Sequence, residues 1–297
     1  MLLSGYLDTE IRSRAGSEVG EYYRWTFGPG VERRQDLRWV PLELRAPLDL
    51  LSDSLAASGA GRLSQGWVDG DRRHHYAPGR MTLSALLNSA HPSRARIVAA
   101  GRTVGASLRG LRGIDISHLD LAPPAGPARL KRWLTSGDGP FAAAVMHEFL
   151  TTKLGPARID EVISWTDGLQ CDHLAVGRSG LETAVVSESA DPSALLIGDE
   201  ICAAPRDFDL SWTLGGLFIL ELEAGALPHD LATERRDAIT ACRDALLVSY
   251  GPSDDLITTG RMTALRVLLQ LHDAAAFDDR QLETLASEVA ALVDDAR

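Results

Sequence analysis

The sequence predicts an α+β protein of two lobes, a small strand-rich lobe over residues 1–90 and a larger helical lobe over 91–297. Three observations predict it. Short aromatic and β-branched runs broken by Gly and Pro turns fill the front of the chain. Apolar residues at helical spacing dominate from Ser93 onward. The charge divides in the same sense: through Asp115 there are 16 Arg and no Lys against 12 acidic residues, a balance of +4, while from Ile116 onward 14 Lys plus Arg face 29 acids, a balance of −15. At 297 residues and 45% hydrophobic content, the chain can bury a substantial core.

The elements follow in order. Tyr22–Phe27 and Leu37–Leu42 read as strands flanking the Gly28-Pro29-Gly30 turn. Leu48, Leu50, Leu51 and Leu55 recur at helical spacing behind Pro47, and Gly59 and Gly61 close that helix. Arg62–Val68 and Arg72–Tyr76 form the arms of a hairpin turned at Asp69-Gly70-Asp71, where Gly accepts a positive φ. Ala77-Pro78-Gly79 stops the second arm, and Thr82 caps a helix through Leu87.

A helix over Ser93–Leu111 turns Ile97, Val98, Val104 and Leu108 to one side, and Pro123, Pro124 and Pro127 mark a junction after it. Arg129–Leu134 and Phe141–Leu154 continue as helices. Leu174–Val176, Ala184–Val186 and Ala194–Ile197 are short strands, and helices over 210–223, 230–250, 258–276 and 280–295 complete the chain. A small basic lobe ahead of a larger helical one suits a nucleotide held between them.

Several functions are excluded by composition. No window offers eighteen unbroken apolar residues and the first twenty carry five charges, so neither a signal peptide nor a spanning helix is expected, which places the protein in the cytoplasm and off the membrane. Cys171, Cys202 and Cys242 are odd in number and form no CxxC pair, so they read as free thiols. No Lys/Arg run is interleaved with aromatics and the net charge is −11, which argues against nucleic acid. His147-Glu148 lacks a second His one turn on, since residue 151 is Thr, and so is no zinc-protease pair. Cys171-Asp172-His173 is compact, but strand neighbours diverge, which removes it as a nucleophilic dyad.

Tyr76-Ala77-Pro78-Gly79-Arg80-Met81-Thr82, Gly101-Arg102-Thr103-Val104-Gly105-Ala106-Ser107-Leu108, Leu196-Ile197-Gly198-Asp199-Glu200 and Pro205-Arg206-Asp207-Phe208-Asp209-Leu210 stand in the order of the hinge, the helix before the catalytic region, the metal-binding turn and the next helix of one family. Over roughly Pro47 to Phe277 the chain resembles the aminoglycoside phosphotransferases, a branch of the protein-kinase-like fold. The resemblance implies a bilobal kinase-like fold with ATP and magnesium between the lobes.

The same resemblance shows departures. The family's catalytic loop reads His-Gly-Asp with an Asn five residues beyond the Asp. Aligned on Gly177, this chain has Val176 for the His, Arg178 for the catalytic Asp and Thr183 for the Asn. Arginine is a permanent cation and cannot take a proton from a substrate hydroxyl. Gly198 stands where the metal-binding Asp belongs, and Asp199 follows one residue late. Asp199 and Glu200 are the metal candidates, and a solvated turn is the plain alternative for them. No lysine precedes Lys131, so only Arg38 or Arg45 can take the place of the family's strand lysine. Asp209 matches a family position that bonds the catalytic-loop amides, and it is expected to be buried and bonded.

The expectation that follows is a pseudokinase-type scaffold with no cofactor, binding a protein or peptide partner. The alternative is a divergent phosphotransferase using ATP and Mg on a hydroxyl of a peptide or small molecule. Arg266-Val267-Leu268-Leu269-Gln270-Leu271-His272-Asp273 also resembles kinase-like proteins that accompany lyases in lanthipeptide and thioamide peptide biosynthesis, where Ser and Thr of a precursor are dehydrated. That resemblance implies a lyase subunit or an acidic precursor peptide as partner, received by Arg33, Arg34, Arg38, Arg45, Arg72 and Arg73.

Overall fold

Gly66, at φ +62°, breaks what would be a continuous strand. The two halves of that run enter different sheets, which corrects the expectation of a single hairpin arm over Arg62–Val68. In the computed structural model, which describes residues 14–17, 20–27, 62–64, 66–69, 72–137, 139, 142–177, 180–188, 193–197, 201–253, 255–277 and 283–296, β3 (Arg62–Ser64) runs parallel to β9 (Ala194–Leu196). β4 (Trp67–Asp69) pairs antiparallel with β5 (Arg72–Ala77), with Asp69 opposite Arg72.

β1 (Arg14–Ser17) and β2 (Gly20–Phe27) complete a four-stranded sheet in the order β1-β2-β5-β4. A second sheet has the order β3-β9-β8-β6, with β6 at Met81–Thr82 and β8 at Ala184–Val186. It joins strands from the front and the middle of the chain, so the strand pair expected inside the helical part is sealed by β3 and β6. Between the sheets, Ser64 Oγ lies 3.2 Å from Nδ1 of the buried His75. β7 (His173–Ala175) and β10 (Cys202–Ala204) form a separate antiparallel pair.

Helices follow the strand cluster. Thr82 caps α1 (Leu83–Leu87) as its sequence position predicts, its Oγ1 accepting the Ala85 amide at 3.1 Å. α2 (Arg94–Leu111) buries Ile97, Val104 and Leu108. It packs along α8 (His229–Tyr250) so closely that a Cβ on Gly105 would lie 2.3 Å from the Leu246 carbonyl oxygen. α3 (Ala125–Ser136) ends at Gly137 in the left-handed region, and α4 (Ala143–Leu154) follows.

α5 (Pro156–Asp167) is a helix the sequence reading passed over, although Pro156 at its first turn and Ile159, Val162 and Trp165 on one buried face signal it. α6 (Gly180–Thr183) is a single turn running straight into β8. α7 (Phe208–Ala224), α9 (Leu256–Phe277) and α10 (Glu283–Asp295) complete the larger helical region. Its core gathers Leu130, Trp133, Met146, Phe208, Trp212 and Leu268, with Phe208 and Trp212 stacked at 4.6 Å. A second core joins α2, α8 and the β7 and β8 region through Leu108, Leu174, Val186 and Leu246. The expected α+β arrangement, a strand cluster ahead of a larger helical region, is the one observed.

Candidate functional site

The site is built where β7 ends. Antiparallel pairing sets Cys202 opposite Ala175, so Gly177, leaving β7, and Ile201, entering β10, lie at the same end of the strand pair. Gly177 turns the chain at φ +74°, a conformation that favours glycine. Asp209, in the first turn of α7, points back at this turn. Its Oδ2 accepts the Val176 amide at 2.8 Å and its Oδ1 accepts the Gly177 amide at 3.1 Å. It is 7% exposed, buried and bonded as its alignment predicts. Burial pushes its carboxyl up to about 7, against the two amides, which favour the charged form.

One helical turn on, Thr213 extends the clamp. Its hydroxyl donates to the Asp209 carbonyl at 2.7 Å and accepts the Gly180 amide at 3.0 Å. A side chain at residue 180 would meet Val104 at 2.7 Å, so the start of α6 is wedged between α2 and α7. Two residues of α7 thus hold both ends of the segment that separates β7 from α6.

Asp207, at the start of α7, is the described non-glycine residue at positive φ, 65°. Its carboxylate accepts hydrogen bonds from the Tyr250 hydroxyl and, at 2.6 Å, from Ser253 Oγ, and Arg112 Nε lies 3.3 Å away. The Arg112 guanidinium also stands 5.0 Å above the Tyr250 ring. These contacts lock the C-terminal ends of α2 and α8 to the start of α7 and hold the strained residue in place. Burial and the Asp207 carboxylate together raise the Tyr250 hydroxyl far above its ordinary value, so it remains a donor. Sequence reasoning missed this cluster, because Tyr250, Ser253 and Arg112 lie 43, 46 and 95 positions from Asp207.

The charged stretch Arg266–Asp273 lies inside the protein. Arg266 donates to Gln270 Oε1 at 3.1 Å and pairs with Glu182 of α6 at 3.5 Å. Gly215 makes room for its side chain, since a Cβ there would sit 2.8 Å from Arg266 Cβ. Asp273 pairs with Arg129 at 2.8 Å and with His272 Nδ1 at 2.7 Å. Burial alone would raise the Asp273 carboxyl, but Arg129, His272 and Arg266 outweigh it and hold the group below the usual range. These residues join α3, α6 and α9 and offer no surface to a partner.

The sequence-predicted site residues fall as follows. Thr183 closes α6 and is buried at 4% exposure. Arg72 and Arg73 lie on β5, opposite Asp69 and Val68 of β4. Arg178, Asp199, Glu200, Arg33, Arg34, Arg38 and Arg45 lie outside the described residues, as do the strand at Leu37–Leu42 and the helix behind Pro47. Among the described residues no group of three or more His, Cys, Asp or Glu is gathered as a metal site. One expectation is corrected. His173 Nδ1 lies 2.6 Å from Asp172 Oδ1, so these neighbours converge. Asp172 precedes the strand, where the alternation of a pleat does not yet apply. Cys171 takes no part: burial and then Asp172 push its thiol up, and it contacts the Leu169 carbonyl at 3.7 Å.

No family model matches the chain, and a search of curated proteins finds no match. Solved structures do show similarity. Macrolide 2'-phosphotransferase MphH from Brachybacterium faecium is 16% identical over 96% of this chain and 92% of its own, with a TM-score of 0.42. Aminoglycoside-3'-phosphotransferase of type VIII is 15% identical over 89% and 93%, with a TM-score of 0.46. Ethanolamine kinase Pv091845 from Plasmodium vivax is 12% identical over 98% and 83%, with a TM-score of 0.48.

Proposed function

We propose that the protein is a pseudokinase-type scaffold that keeps a kinase-like catalytic loop for its shape and binds a protein or peptide partner. The carrying observation is the clamp of Asp209 on the Val176 and Gly177 amides. The anchoring of such a loop is retained, while the residues the chain offers within it are Arg178, which cannot act as a base, and Thr183, which brings no carboxamide to a metal. Retained architecture with altered chemistry supports selection on the surface of the loop.

A narrower form of this reading takes the partner to be a lyase subunit or an acidic precursor peptide in Ser/Thr dehydration of a ribosomal peptide. The front-half excess of 16 Arg over 12 acids supports it, and Arg33, Arg34, Arg38, Arg45, Arg72 and Arg73 are the residues it would use. Charge reversal at Arg33 and Arg34 then weakens complex formation in a salt-dependent way, and unchanged affinity removes the narrower form.

The second reading is a divergent phosphotransferase. It is favoured by Gly177 and Ile201 lying at one end of the β7–β10 pair, because Asp199 and Glu200 directly precede Ile201 and are the carboxylates that would hold magnesium for ATP. Magnesium would there neutralise phosphate charge.

Calorimetric titration with ATP and magnesium, followed by an assay for transfer of the γ-phosphate, separates the two. The scaffold reading expects no heat and no transfer. Metal-dependent binding with transfer that is lost in Asp199→Ala establishes the second reading instead.

A further inference from the structure

Between Arg72 and Ile114 the chain carries eight arginines and not one Asp or Glu. Three of those arginines have partners within the chain. Arg80 pairs with Glu188 at 2.9 Å, Arg96 donates to the Ser187 carbonyl at 3.2 Å, and Arg112 pairs with Asp207. Arg94, Arg102 and Arg109 are different: all three are on α2, all are exposed, and none forms an ion pair among the described residues. Helix stability does not account for the set. Arg109 in the last turn suits the helix dipole, but Arg94 in the first turn opposes it.

We propose that the exposed face of α2 is a docking surface for an acidic amphipathic helix of a partner protein. Arg102 and Arg109 are two turns apart, about 10 Å along one side of the helix, while Arg94 lies about 12 Å before Arg102 and is turned about 80° from it. Beside Arg102 and Arg109 the helix surface carries Ala95, Ala99 and Ala106 together with the half-buried Val98, so a second helix can approach closely while its carboxylates meet the guanidiniums. A glutamate at seven-residue spacing on the partner matches Arg102 and Arg109.

A polynucleotide fits this face less well. The chain carries −11 overall and −15 beyond Asp115, so a long polyanion would run off the arginine row onto acidic surface. α2 also holds no aromatic residue on which a base could stack. The inference deepens the scaffold reading, naming a partner chemistry and arginines other than Arg33, Arg34, Arg38, Arg45, Arg72 and Arg73.

The test uses the full chain and a fluorescent alanine-rich peptide of about 20 residues bearing Glu every seventh position. Anisotropy is expected to show saturable binding that weakens as salt rises from about 50 to about 300 mM. Arg102→Glu with Arg109→Glu is expected to weaken it about tenfold or more. The matched double reversal Arg132→Glu with Arg236→Glu, on α3 and α8, leaves it unchanged. If the first variant does not fold by circular dichroism, Arg102→Gln with Arg109→Gln takes its place. Equal affinity in the α2 variant, equal loss in the matched control, tighter binding of a duplex DNA of similar length, or self-association abolished by the α2 variant each overturns the proposal. The ATP titration is independent: heat there removes the scaffold reading and leaves the result at α2 standing.

Discussion

Oδ2 of Asp209 accepts the amide of Val176 at 2.8 Å across a separation of 33 residues, joining the first turn of α7 to the strand end where the candidate loop begins. The same carboxylate takes the next amide as well. Removing it strands two buried donors at once.

Asp209→Ala is therefore expected to destabilise the protein by about 2 to 4 kcal/mol in urea melts, each unpaired buried amide costing about 1 to 3. Hydrogen exchange distinguishes local from global loosening. The amides of Val176 and Gly177 are expected to exchange far faster in the variant under native conditions, before those of α8 change. Unaltered protection at both amides would contradict the clamp.

The pH dependence of Asp209 has a definite sign. Its carboxyl is raised from 3.8 to about 7, so between those values the folded protein holds a proton that the unfolded chain releases. Its contribution to stability is full below about 4 and is lost as pH rises through 7. Asp273, whose carboxyl is lowered, contributes the opposite way, its stabilisation being lost as pH falls through its folded value. The stability difference between the parent and Asp209→Asn is thus expected to narrow on going from about pH 4.5 to about pH 8, as read from denaturant midpoints. A difference that widens would refute the assignment.

At the α2–α8 contact, Gly105→Ala forces a Cβ to within 2.3 Å of the Leu246 carbonyl oxygen, which is backbone and cannot swing aside. The helices must separate. A loss of about 1 to 3 kcal/mol in thermal or urea unfolding is expected. Gly155→Ala fails for another reason: there is open space around the position, but φ is +75°. Its cost is expected to be smaller than that at Gly105.

Tyr250→Phe deletes the donor to a buried carboxylate already bent into a positive φ. A cost of about 1.5 to 3 kcal/mol follows from losing a hydrogen bond to a charged group. Ser253 and Arg112 still face Asp207, so the variant is expected to fold, and its melting temperature reports the loss.

Thiol labelling separates the cysteines. Burial pushes the Cys242 thiol up to about 12, and Cys202 is also buried, while Cys171 is partly accessible. A thiol reagent is expected to modify Cys171 first in the native protein, with the other two reacting on unfolding.

Much of this was written locally in the chain. Thr82 three residues before Ala85 and apolar spacing such as Ile97, Val104 and Leu108 are short-range signals, because caps and amphipathic faces need only neighbours within two turns. Asp209 was legible for a different reason: its place in a family-like order identified its partners before any coordinates did. That residues 178 and 183 are Arg and Thr, neither of them a carboxylate, is likewise chemistry that sequence alone declares.

What required the tertiary structure was every relationship whose members are far apart in the chain. Leu63 pairing with Leu195 splits the expected hairpin arm, because a strand's partner is chosen by packing and backbone satisfaction over the whole molecule. The burial of Arg266 depends on Glu182 and the gap at Gly215, both far from it in the chain. The lock of Asp207 with Tyr250, Ser253 and Arg112 exists only after three helix ends meet. Composition determined that arginines crowd the stretch before Asp115. Folding decided that Arg112 and Arg96 turn to Asp207 and the Ser187 carbonyl, that Arg80 meets Glu188 at the surface, and that three stand exposed on α2, since burial demands a partner for each charge and solvent does not.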